Sequence, residues 1–296
     1  MSDRAKLSHS LDQDEQAILL KYFPKGLCAF DLEMTGLSAV FDKIIEIAAV
    51  KLTAQGELET FHSLINPLIP IPENTKKYHG LENDDLRDAA TLKKPLRDFL
   101  DFFGNTPLIA HNAIFDTSFI IIGMNQFNMS PSLSDVYDSC KLARYVYKAK
   151  KTRPESFKLN DLAEFFQYSF EHHQAMEDAF LALKITAQCL LEMAKNDDEA
   201  NLKSICFSNK LNSYKDINSY IVPQKFSEMK NWIATREEFE LKYKGGSFKG
   251  EFRPVKPISL LTLPHGLVLY ALCQKTNQNK YFKLKKIQQI RELKKN

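Results

Sequence analysis

Residues 27–37 read LCAFDLEMTGL, an apolar run with the pattern of a buried strand that ends in acids. Asp31 and Glu33 are two apart, so on a strand their side chains emerge on the same face. Downstream, KIIEIAAVKLT at 43–53 is apolar and β-branched, Gln55-Gly56 is a turn signal, and 58–65 alternates like a returning strand. These three segments form a meander. Helical patterns follow at 84–89 and 95–103. A short strand at 108–110 leads into a helix over 115–127, a further strand is expected at 136–140, and helices are expected at 141–148, 159–166 and 176–194.

Three antiparallel strands followed by alternating helices and strands imply a mixed α/β sheet covered by helices, an order that suits a ribonuclease-H-like architecture. The chain of 296 residues is long for one compact domain, and its charge is unevenly divided. From Lys225 onward there are 16 Lys/Arg against 6 Asp/Glu, a local charge of +10, whereas residues 1–224 carry −7. A basic segment of this kind meets polyanions, because neutralising phosphates releases counterions. A solvated lysine-rich surface is the plainer reading. Residues 1–24 are expected to be a leader with an amphipathic stretch at 15–23, and 197–224 a linker rich in Asn, Ser and Lys. Beyond it, Gly245-Gly246, Pro254, Pro257 and Pro264 to Gly266 punctuate short strand-like segments, implying a small β domain over 225–296.

The five cysteines are scattered and match no zinc spacing or disulfide framework. No signal-peptide pattern opens the chain, and apolar runs such as 44–50 and 119–122 are far below the roughly 18 residues a membrane span needs. A reduced, cytoplasmic protein without membrane attachment is expected.

Three acidic elements carry the chemistry. Asp31 and Glu33 would repel each other unless a hard divalent cation with oxygen ligands sits between them; a lone pair of this spacing is as readily a strand end entering water. His111-Asn112-Ala113-Ile114-Phe115-Asp116 lies where a strand gives way to a helix, and Asp116 alone could simply complement the helix dipole. His172-His173-Gln174-Ala175-Met176-Glu177-Asp178 opens the longest helix. There a carboxylate with a histidine nearby suits metal-assisted hydrolysis, one group holding the ion and the other taking a proton from water. Together the three place every acid at a strand end or helix start, where one sheet gathers them into one cleft.

FDLEMTGL at 30–37, HNAIFD at 111–116 and His173 five residues before Asp178 resemble the three motifs of DEDDh exonucleases. Between them, Asn66-Pro67, Ile71-Pro72 and His79-Gly80-Leu81, then Ser156 to Leu159, resemble the family's intervening text, so the resemblance covers residues 25–196. It implies 3′→5′ hydrolysis of single-stranded nucleic acid, DNA favoured, to nucleoside 5′-monophosphates. Asp31, Glu33, Asp116 and Asp178 would hold two Mg²⁺ or Mn²⁺ ions. His173 would be the general base, with the spacing selecting it over His172. Met34, Thr35 and Leu37 would line the terminal-nucleotide pocket. His79 and Asn112 would touch substrate or fix loops, and His111 would be structural. Met34 resembles the oligoribonuclease-like variant, so RNA trimming is the alternative substrate reading. A non-catalytic nucleic-acid-binding regulator is the alternative from another class. Partners implied are single-stranded DNA or RNA 3′ ends; no clamp-binding motif or polymerase-docking tail is visible, which favours a freestanding repair or degradation enzyme.

Residues 239–290, with Tyr243, a glycine turn, Arg253, Pro257 and Tyr281-Phe282, resemble WYL domains, which are small SH3/Sm-like β modules. Leu267-Val268-Leu269 stands where the naming aromatics would be. Arg253, Lys283, Lys285 and Lys286, with Tyr243, Tyr270 and Tyr281, are the candidates for a phosphate-and-stacking surface. Alternation in a small barrel would send about half such aromatics inward.

Overall fold

The computed structural model describes residues 10–130, 133–168, 174–214, 220–246 and 248–293. Helix α1 (Gln13–Tyr22) starts at a capping box in which the Asp12 carboxylate accepts the Glu15 amide and Glu15 accepts the Asp12 amide. Strands β1 (Leu27–Met34), β2 (Ile44–Leu52) and β3 (Leu58–Leu64) form the expected meander, with β1 and β3 antiparallel to β2 on either side of it. Helices α2 (Glu73–His79), α3 (Asn83–Leu86) and α4 (Lys93–Phe103) follow, then β4 (Leu108–Ala110), α5 (Ile114–Gln126), β5 (Asp135–Asp138), α6 (Ser139–Tyr147), α7 (Leu159–Phe165) and α8 (Ala175–Lys195). Strands β4 and β5 run parallel to β1, giving a mixed sheet flanked by helices.

Strand β1 is central and buried on both faces, as its nearly unbroken apolar run requires. Cys28, Phe30 and Leu32 face one cluster with Phe99, Phe103 and Phe119 of α4 and α5. Leu27 and Ala29 face the other, with Ile18 of α1, Leu142 of α6 and the apolar stripe of α8. Asp31 and Glu33 continue this second face past the point where hydrophobic side chains stop.

Three sequence expectations need correcting. The stretch expected as a linker carries α9 (Leu202–Ile205) and β6 (Phe207–Lys210), and β6 pairs antiparallel with β5 to extend the sheet to β3-β2-β1-β4-β5-β6. Its polar composition suits an edge strand with one wet side. The leader helix α1 belongs to the core. Its buried Glu15 receives hydrogen bonds from Lys184 at 3.0 Å and Gln188 at 2.9 Å on α8, and from Tyr168 at 3.2 Å. Finally, α10 (Met229–Thr235) is a helix in a region read as strands only, and Trp232 on it stacks on Phe239 at 4.6 Å.

Strands β7 (Phe239–Tyr243), β8 (Phe252–Leu263), β9 (Gly266–Cys273), β10 (Gln278–Lys283) and β11 (Ile287–Glu292) make a second antiparallel sheet, ordered β10-β9-β8-β7-β11. A 3₁₀ turn at Leu284–Lys286 separates the last two strands. The expected C-terminal β structure is thus a second, antiparallel sheet. Strand β7 pairs only with Phe252 to Val255 of β8, so the rest of that strand's edge is left open. The loop after β1 and helix α5 of the first unit cover it. Ser38 Oγ accepts the Leu260 amide at 2.9 Å, Ser118 Oγ accepts the Thr262 amide at 3.1 Å, and the Thr262 hydroxyl donates to the Ser118 carbonyl at 3.2 Å. Leu260, Leu267 and Leu269 join the same hydrophobic cluster as Phe30 and Phe119. The two sheets therefore share a core. Among the described residues, no helix is long and apolar enough to cross a membrane.

Candidate active site

The carboxyl ends of parallel strands and the starts of the helices that follow are where open α/β sheets collect functional groups. Here β1 supplies Asp31 and Glu33, α5 supplies Asp116 just after β4, and the first turn of α8 supplies Asp178. Asp31, Glu33 and Asp178 each offer a carboxylate oxygen within 4.8 Å of the other two. Asp116 is buried beside them. It lies outside that tight group, but its charge acts on both Asp31 and Glu33.

Burial raises all four carboxyls, and their mutual repulsion adds to it. Asp31 and Glu33 are held well above the ordinary carboxylate range. Asp116 is pushed up to about 7 by burial, against the opposing pull of its own amide and that of Leu32. Asp178 reaches about 7 through burial and the charges of Glu177 and Glu46. Among the described residues, Asp178 Oδ1 is also buried with no hydrogen-bond partner. Desolvated carboxylates crowded together, one with an orphaned oxygen, are a donor set that fits a hard divalent cation and little else. Sequence reasoning missed one contributor, Glu46. It is the register partner of Glu33, is 3% exposed, and lies 2.7 Å from His62 Nε2. An acid inside the apolar run 43–53 was the available signal, and the β1–β2 register is what sets it on the face of Asp31 and Glu33.

The loop after β1 is shaped by Gly36, where an added Cβ would fall 2.5 Å from the Asp42 carboxylate. That carboxylate accepts the Ser38 amide at 2.8 Å. Thr35 is buried, donating its amide to the Lys43 carbonyl and accepting the Lys43 amide on Oγ1, both at 2.9 Å. Met34 is half-buried, and Leu37 is exposed at the rim. Asn112 is exposed in the left-handed region at φ 61°, a conformation Asn tolerates. Its amide donates to Asp138, which also caps α6 through the Cys140 and Lys141 amides. His79 is buried and accepts the Leu81 amide at 3.0 Å. His111 bonds Ser139 Oγ and the Phe157 carbonyl, and burial pulls it down to about 4, so it stays neutral. His172 and His173 lie outside the described residues.

The basic candidates divide. Arg253 is 3% exposed, donating to the Phe248 carbonyl at 2.8 Å and lying against the rings of Phe248 and Phe282, so it does not reach the surface. The Tyr243 hydroxyl accepts the Lys283 amide, its ring edge-on to Phe282. Tyr281, Lys285 and Lys286 are exposed, and Tyr270 and Lys283 half-exposed.

The exonuclease family profile matches residues 28–186. A DNA polymerase III of PolC type from Caldanaerobacter subterraneus subsp. tengcongensis is 32% identical over 249 residues, which are 83% of this chain and 17% of that protein. The chain thus spans about a sixth of the length of that relative. Escherichia coli Exonuclease I in complex with a dT13 oligonucleotide aligns with a TM-score of 0.54 at 14% identity, covering 84% of this chain and 55% of that one. The nuclease domain of 3′hExo, a DEDDh family member bound to rAMP, aligns with a TM-score of 0.50 at 18% identity, covering 64% and 98%. At these identities the two structures speak for the ribonuclease-H-like fold. With the profile matching more than half of its residues across the acidic cluster, the chain belongs to the exonuclease family that this profile describes.

Proposed function

We propose that this protein is a 3′→5′ exonuclease that removes nucleoside 5′-monophosphates from single-stranded nucleic acid, DNA favoured. The observation that carries the reading is the convergence of Asp31, Glu33 and Asp178, with Asp116 buried beside them. These four would hold two divalent ions, Mg²⁺ or Mn²⁺. When bound, such ions promote attack by water and stabilise charge on the leaving 3′-oxygen. His173, shortly before α8, would take the proton from that water. Met34, Thr35 and Leu37 would seat the last nucleotide, and exposed Asn112 would contact it.

Kinship with a DNA polymerase supports DNA over RNA, whereas Met34 favours RNA. The C-terminal sheet, in its WYL-like reading, would hold the strand through exposed Lys285 and Lys286 with Lys283. Because this sheet shares its core with the nuclease sheet, point substitutions test that role better than deletion of 225–296.

The deciding experiment is a gel assay of 5′-labelled single-stranded DNA and RNA of one sequence, with Mg²⁺ or Mn²⁺, beside Asp31→Ala and His173→Ala. A ladder shortening from the 3′ end and lost with EDTA and with both variants is expected. Folded protein that binds the oligonucleotides yet digests neither would overturn the assignment in favour of a non-catalytic binding protein.

A further inference from the structure

Ser259, Tyr270 and Tyr281 are register partners across β8, β9 and β10, so their side chains form one row on one face of the C-terminal sheet. The row starts in the nuclease loop, where the Ser259 hydroxyl donates to the Leu37 carbonyl. Its second member, Tyr270, packs edge-to-face on Phe115, the residue before Asp116, with centroids 5.9 Å apart and planes at 78°. Its third, Tyr281, stacks on Tyr270 at 4.8 Å and 27° and is 53% exposed. Two strand spacings of about 4.8 Å place Tyr281 roughly 10 Å from the Leu37 contact.

Tyr281 also faces α6. Burial raises its hydroxyl to about 12, with the neighbouring charges of Asp138 and Cys140 adding and that of Arg144 opposing, so it stays a neutral phenol. The Asp138 carboxylate is already engaged by the amides of Asn112, Cys140 and Lys141. Two cations stand near the ring: Arg144, exposed on α6, whose charge reaches Tyr281, and Lys283, two residues on along β10 and so on the same face. A large exposed aromatic, braced from behind by two further rings and with Arg144 and Lys283 nearby, matches the chemistry of a nucleobase with its phosphates. Sharing a core with the nuclease sheet, the C-terminal sheet holds this ring at a set position relative to the acids, so little entropy is lost on binding.

Building on the exonuclease reading, we propose that Tyr281, backed by Tyr270 and Phe115, is a stacking platform for a base upstream of the nucleotide being removed. The C-terminal sheet would then act as a second wall of the substrate channel.

The test compares the full chain with Tyr281→Ala and Tyr281→Phe on two substrates. One is an oligothymidylate; the other is the p-nitrophenyl ester of thymidine 5′-monophosphate, too short to reach Tyr281. With Tyr281→Ala, the ratio of kcat/KM for oligothymidylate to that for the ester should fall roughly tenfold, through KM, and Tyr281→Phe should restore it. A ratio unmoved by Tyr281→Ala, or one that Tyr281→Phe fails to restore, overturns the platform. If the wild type hydrolyses neither substrate, it is the exonuclease reading that fails. The platform is then judged in EDTA with a 2-aminopurine-labelled oligothymidylate. Emission quenched on binding and recovered with Tyr281→Ala supports it, and equal quenching overturns it.

Discussion

Glu46 stands directly opposite Glu33 across the β1–β2 ladder, a fifth carboxylate at the acidic site. Beyond burial, its charge helps raise Glu33, Asp31 and Asp178. Its own oxygen is met by His62 Nε2 at 2.7 Å. It acts as a field on the cluster, where the others are the proposed ligands.

Glu46→Gln should therefore have two opposite effects. Gln keeps a hydrogen bond to His62 while removing one repelling charge, so the metal-free protein should melt higher at pH 8. The same loss weakens attraction for a divalent cation, and Mn²⁺ affinity should drop roughly tenfold, about 1.4 kcal/mol. Thermal melts in EDTA and Mn²⁺ titration read the two effects separately; movement in the same direction would rule out a purely electrostatic role.

The pH dependence of the metal-free protein follows from the raised carboxyls. Asp116 and Asp178 rise from 3.8 to about 7 on folding, so between those values the native state binds more protons than the unfolded chain. Stability is then highest below the unfolded value and is lost as pH climbs through the folded one. Melting in EDTA should fall from pH 5 to pH 8, and Mn²⁺ should restore more at pH 8 than at pH 5. A flat profile in EDTA would show that folding does not raise these carboxyls.

Asp178→Asn tests whether function and stability conflict at one residue. It removes a member of the cluster and should cut nuclease activity by more than about a hundredfold. It also removes a buried charge, so the metal-free protein at pH 8 should become more stable. A variant that loses both activity and stability would indicate a structural role for Asp178.

The seam between the two sheets rests on buried serine hydroxyls. Ser118→Ala strands the Thr262 amide, and Ser38→Ala strands that of Leu260; each should cost about 1–3 kcal/mol in urea denaturation. Because the sheets share a core, unfolding should stay a single transition in both variants. Two transitions in the wild type would mean that the sheets unfold independently.

Much of the first sheet was legible because its signals are local. The run at 27–34 reads as a buried strand, the turn at Gln55-Gly56 follows a β-branched segment, and β4 falls on the expected residues 108–110. The four acids stood out for the same reason: each sits where an apolar pattern stops.

The misses have different causes. The polar segment of β6 is indistinguishable from a loop until β5 offers it an edge. Arg253 reads as a surface cation but is enclosed by Phe248 and Phe282. Glu46 looked like one charge on an apolar strand because only strand register sets it against Glu33. Local motifs carried the family resemblance and the four acids, and local patterns gave most of the order of elements, since these depend on the nearest few residues along the chain. Tertiary structure alone decided that the C-terminal sheet shares a core with the nuclease and that Tyr270, with Tyr281 stacked on it, packs on Phe115 beside Asp116. Those relations join residues more than a hundred positions apart, and only long-range packing and hydrogen bonding bring them together.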